Sequence, residues 1–97
     1  MSDAPLRAAS ENLVVEMTEL VAVMARALVD QPEAVAVKAV TEENLTSILL
    51  RVSPSDLGKV IGKQGRTARS MRTILGAASM KAQHRFALDI QQEDAPQ

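Results

Sequence analysis

The chain has 97 residues, no cysteine, a net charge of −1 and 46% apolar residues. That length makes one domain with a single modest core, burying roughly 60–65% of the unfolded surface, and the lack of cysteine excludes disulfides and thiolate metal sites. No apolar run approaches the ~18 residues of a membrane span and no signal-peptide pattern leads the chain, so a cytoplasmic protein without membrane attachment is expected.

Residues 1–9 read as a flexible leader before a single domain over residues 10–91. Ser10 can cap a first helix, with Glu11 in its first turn. Leu13, Met17, Leu20, Met24 and Leu28 recur every three or four residues, and Val14 and Val21 widen this core-facing stripe. Both methionines fit as core filler. Pro32 stops the helix near Asp30. Alternation in AVAVKAV (34–40) predicts a first strand, and TEEN (41–44) a polar turn. LTSILLRV (45–52) predicts a second strand with Ile48, Leu50 and Val52 on one face, joined to the first as an antiparallel hairpin.

Ser53, Pro54 and Asp56 make a helix start with a capping-box pattern. Gly62 ends that short helix about two turns later. A longer helix is expected from Gly65 or Arg66 to about Met80, burying Ala68, Met71, Ile74, Leu75 and Ala78. Gly76 costs this helix about 1 kcal/mol relative to alanine, with close packing as its one evident reason. HRFALDI (84–90) is the last strand, with Leu88, Ile90 and the sole aromatic, Phe86, on one face. The only histidine, His84, is expected at a surface or strand edge. Residues 92–97 read as a disordered polar tail. The order is α-β-β-α-α-β, an α+β chain without internal repeats.

The residues that carry chemistry lie between the second and third helices. From Leu57 to Leu88 there are seven Lys/Arg and no Asp/Glu, whereas the rest of the chain sets four Lys/Arg against twelve Asp/Glu. A basic window of this kind is either a solvated face or the surface for an anionic partner. Within it, Gly62-Lys63-Gln64-Gly65 joins two helices. The free N–H groups and positive dipole of the following helix, two glycines that hold nothing away, and a mobile lysine together suit a phosphate or phosphodiester backbone. Gln64 adds hydrogen bonds without charge. A nucleotide-binding P-loop does not fit: three residues separate Gly58 from Gly62, Gln64 follows Lys63, and a helix precedes the loop. No carboxylate pair, metal-ligand cluster or nucleophile–base set accompanies the loop, so no enzyme, cofactor or metal is expected.

The stretch DLGKVIGKQGRTARSMRTIL (56–75) resembles the signature of the KH domain, in which a Gly-x-x-Gly loop joins two helices and clamps about four backbone nucleotides. The element order is similar to the type II arrangement, a three-stranded sheet with helices packed on one face. A single KH domain in a chain of this size resembles the small bacterial single-KH RNA-binding proteins, the KhpA-like family. The resemblance implies a non-catalytic protein that acts after transcription. Gly62, Lys63, Gln64 and Gly65 would hold single-stranded RNA, and the aliphatic Val60 and Ile61 would secure the loop. Bases would lie in an apolar groove between the helix pair and the neighbouring strand. Ala68 and Met71 stand where branched aliphatics are common in that family. Arg66 is at the loop's edge and Lys59 one turn before it, and both are candidate phosphate cations. Arg69 and Arg72 are equally well read as a solvated face, with Arg69 the one kept as a contact. The resemblance further implies a homodimer, or a heterodimer with another KH-containing RNA-binding protein. A different reading takes the KH scaffold as a protein-interaction module to which nucleic acid is incidental.

Overall fold

The computed structural model of the protein describes residues 3–91, with side chains from residue 11 onward. Helix α1 spans Asp3–Leu28, strands β1 and β2 span Ala36–Glu42 and Leu45–Arg51, helices α2 and α3 span Leu57–Ile61 and Arg66–Ala82, and strand β3 spans Arg85–Gln91. The sheet order is β1-β2-β3, with β1 antiparallel to β2 and β2 parallel to β3. Parallel neighbours need a crossover. Here α2 and α3 supply it, so the loop between them is part of the only connection that can bring β3 beside β2. This is the expected α+β KH arrangement.

Central β2 organises the core. Ile48 and Leu50 are fully buried, Val52 nearly so, while between them Leu49 is half-buried and Arg51 exposed, as the period of a strand requires. Each fully buried side chain of this size contributes about 1.5–3 kcal/mol. Around them pack Val21 and Ala25 of α1, Val60 of α2, Met71 and Leu75 of α3, and Leu88 of β3. Met17 and Met24 lie against this cluster as filler, as do Val37, Phe86 and Ile90.

The structure departs from the sequence reading at several described positions. Helix α1 begins at Asp3, so Ser10 lies inside it and is not its cap; alanines at 4, 8 and 9 favour helix there, and Pro5 is tolerated in a first turn. The tail at 92–97 lies outside the described residues. The hairpin turn is Glu43–Asn44, tighter than the four residues expected. Thr41 and Glu42 stay in the ladder opposite Thr46 and Leu45, with the two threonine hydroxyls 2.8 Å apart, and Glu43 takes φ 55° to close the turn. The capping box does not form: Ser53 Oγ meets Ser55 Oγ at 3.1 Å, while Asp56 turns inward.

His84 is buried rather than superficial. Its Nε2 is 2.7 Å from Oγ1 of the fully buried Thr46, and its ring lies 5.1 Å from that of Phe86. A hydroxyl partner across the sheet satisfies the imidazole there. Ile74 is 44% exposed, because α3 turns only Ala68, Met71 and Leu75 squarely onto the sheet. Close packing does not account for Gly76: a Cβ placed on it meets nothing within 4 Å. Gly76→Ala is therefore expected to raise the unfolding free energy by about 1 kcal/mol, read as a higher urea midpoint at unchanged slope. A loss of stability would mean that something crowds this position.

Candidate nucleic-acid interface

The loop is built by stopping one helix and restarting another within four residues. The Gly62 amide donates to the Gly58 carbonyl at 2.8 Å, closing α2, and Gly62 itself takes φ 82°. A 3-10 turn over Lys63–Gly65 follows, in which the Gly65 amide donates to the Gly62 carbonyl at 3.0 Å. Gln64 (φ 59°) and Gly65 (φ 73°) also occupy the left-handed region, so three of the four loop residues do. Gln64 does so with a side chain, at a cost of roughly 1–2 kcal/mol, and such strain gathers at functional loops.

Gly62 is required for a second reason. A Cβ there would overlap the Thr67 side chain and lie 2.7 Å from the Thr67 backbone nitrogen. Thr67 thus folds the first turn of α3 back over the end of α2, a contact the sequence did not flag. The signal available was only a small β-branched residue two positions past the second glycine. Gly65 has free space around it and is needed only for its φ.

Electrostatics at the loop are one-sided. Lys63, Gln64, Arg66 and Arg69 are exposed, and Ile61, just before the loop, is half-buried. The first turn of α3 holds no acidic residue, although the helix dipole favours acids there and opposes Arg66 and Arg69. Cations held against that dipole create a concentrated positive end that suits an anion.

Two cations of the basic window are committed elsewhere. Arg72 donates from Nε and Nη2 to the Leu88 carbonyl, at 3.3 and 3.1 Å, and so covers the edge of β3. Lys59, expected beside the phosphates, instead has Nζ 3.4 Å from Asp30 and 3.6 Å from Asp56. Ser79 Oγ also ties α3 to β3, accepting the Phe86 amide at 2.9 Å. An apolar groove of about 280 Å³ lies on the opposite flank, between α1 and α3, lined by Met24, Leu28, Thr67, Met71 and Ile74 among others. Among the described residues no cluster of three or more His, Asp or Glu could hold a metal ion, and no helix is long and apolar enough to cross a membrane.

The chain is similar to known proteins over most of its length. The family model described as KhpA/KhpB, KH domain, matches residues 18–90. The RNA-binding protein KhpA of Treponema pallidum (strain Nichols) is 51% identical over 72 residues, covering 74% of this chain and 90% of that protein. Those of Clostridium perfringens (strain 13 / Type A) and Aquifex aeolicus (strain VF5) are 47% and 46% identical over 74 residues, 76% of this chain and 99% and 94% of theirs. The family match begins partway along α1, so the first half of that helix lies outside it.

The two glycines should respond differently to substitution. Gly65→Ala is expected to cost about 1–2 kcal/mol from backbone strain alone, whereas Gly62→Ala costs more because the overlap with Thr67 adds to the same strain. Chemical denaturation of the two variants checks this; equal losses would mean that Thr67 moves aside freely.

Proposed function

The chain belongs to the KhpA/KhpB KH-domain family, and from that premise we propose that it is a non-catalytic RNA-binding protein whose Gly62–Gly65 loop grips the backbone of single-stranded RNA. The observation that carries this reading is the loop itself: a helix–helix junction with left-handed backbone at Gly62, Gln64 and Gly65 and an acid-free, arginine-bearing helix start behind it. Lys63 and Arg66 neutralise phosphates, Gln64 hydrogen-bonds them, and the glycines let the backbone approach. Ile61 supports the loop from below, and Arg69, one turn further along α3, extends the positive face. The loop reads no bases, because phosphates do not report sequence.

The low aromatic content is consistent with this mode. Stacking platforms need rings, whereas a backbone clamp does not. The same reading makes the protein a cytoplasmic regulator acting on RNA after transcription. One domain with a few phosphate contacts binds modestly, so pairing with a second copy or with another KH-containing RNA-binding protein raises affinity through effective concentration. The apolar groove beside Ile74 is the surface best suited to that pairing, and because it reaches Thr67, a partner seated there also lies close to the loop.

About three or four phosphate contacts give a slope near −2 to −3 in log K against log salt. Lys63→Asp/Gln64→Asp, folded by circular dichroism, is expected to abolish binding of a short single-stranded RNA. Equal binding by native and variant protein, or an affinity insensitive to salt, would refute the clamp.

A further inference from the structure

Lys59 stands about one helical turn before Gly62, in the last turn of α2. A free lysine there would add its charge to those of Lys63 and Arg66. It is not free. Its Nζ lies between Asp30 Oδ2, at 3.4 Å, and Asp56 Oδ1, at 3.6 Å. The two acids are unlike. The Asp56 side chain is 1% exposed, and its other oxygen accepts the Gln31 amide at 3.0 Å, so it is fixed in place by a residue 25 positions away. The Asp30 side chain is 77% exposed and the Lys59 side chain 44%.

We propose that Asp30 and Asp56 withhold Lys59 from RNA, and so limit how many phosphates the loop region neutralises. This rests on the RNA-binding reading and adds a regulator of its strength. An exposed ion pair alone is weak and yields to a competing phosphate. The buried oxygen of Asp56 is screened less by salt and cannot rotate away, which makes the hold firm. The consequence is chemical selectivity. A phosphate contact strengthens binding to every strand alike, so each cation kept back lowers indiscriminate affinity without touching contacts made elsewhere in the site.

The test is the salt dependence of binding to a short fluorescent oligouridylate by the full chain. Native protein, Lys59→Gln, Asp30→Asn/Asp56→Asn, and the triple variant that adds Lys59→Gln are compared. Asparagine at 56 keeps an oxygen for the Gln31 amide. The double variant is expected to bind more tightly at low salt, with a slope about 0.7 steeper, or roughly a 2.5-fold larger loss of affinity for a fourfold rise in salt. Lys59→Gln alone should leave the native slope unchanged, and the triple variant should return to it.

An unchanged slope in the folded double variant overturns the proposal. So does a steeper slope that survives in the triple variant, since the lost carboxylates would then act without Lys59. A shallower slope in Lys59→Gln overturns it as well, because Lys59 would already be on a phosphate. If the double variant does not fold, Asp30→Asn, at an exposed position, is compared instead. Asp56 still holds Lys59 there, so a near-native slope is expected. A slope steeper by the full change of about 0.7 overturns the proposal, because the buried carboxylate would then be holding nothing. Native protein that binds no RNA removes the premise, and this inference falls with it. Native protein that binds through Lys63 and Gln64 but shows no Asp30/Asp56 effect sinks this inference alone.

Discussion

Everything downstream of β2 depends on one close approach, that of the Thr67 backbone to Gly62. Strand β3 reaches its place beside β2 only if the chain reverses twice in the intervening helices, and the tighter reversal is the loop. At Gly62 the chain must leave α2 with φ 82° and pass 2.7 Å from the Thr67 nitrogen to where a Cβ would sit. A side chain at 62 would push the start of α3 away. Because α3 carries Met71 and Leu75 into the core over Ile48 and Leu50, that displacement would be felt across the sheet. The geometry that gives the loop its left-handed backbone is therefore the geometry that lets the fold close. The proposed clamp and the topology share a residue.

The basic window shows how charge in a sequence becomes charge at a site. Seven cations without an acid mark a positive region, but they do not act together. Arg72 serves the edge of β3, where its guanidinium occupies a strand carbonyl that would otherwise face solvent and so blunts an exposed edge. Lys59 serves the junction between α1 and α2, balancing a carboxylate that burial would otherwise make costly. What remains at the loop is Lys63 with Arg66 and Arg69. The local density of positive charge is set as much by which cations are tied down as by how many were encoded.

Helix α1 joins these parts. Its lower half packs Val21 and Ala25 into the core and forms one wall of the apolar groove beside α3. The residue chain just beyond it, at Gln31, anchors Asp56 and through it the start of α2. Its upper half extends before the stretch that matches the KhpA/KhpB family. The first helix is thus both a wall of the domain and the brace against which the loop-bearing helices are set.

Much of this was legible in the sequence because it rests on local rules. Strand alternation named Ile48, Leu50 and Val52 as one face, periodicity named Met71 and Leu75, and paired glycines between two helices named the loop. Each follows from the repeat of its own element or from the φ a glycine alone adopts easily. What failed was whatever needed a distant partner. Asp56 has the spacing of a capping box, yet it bonds an amide 25 residues away. His84 was expected outside and is inside, because Thr46 offers a hydroxyl across the sheet. Lys59, Arg72 and Ile74 lie on helices whose periodicity is clear, but the neighbours that engage or avoid them come from α1 and β3. Sequence determined the elements, the loop and the sign of its charge; tertiary structure decided which polar groups were free to act, since a hydrogen bond or ion pair between remote residues exists only once packing has brought them within reach.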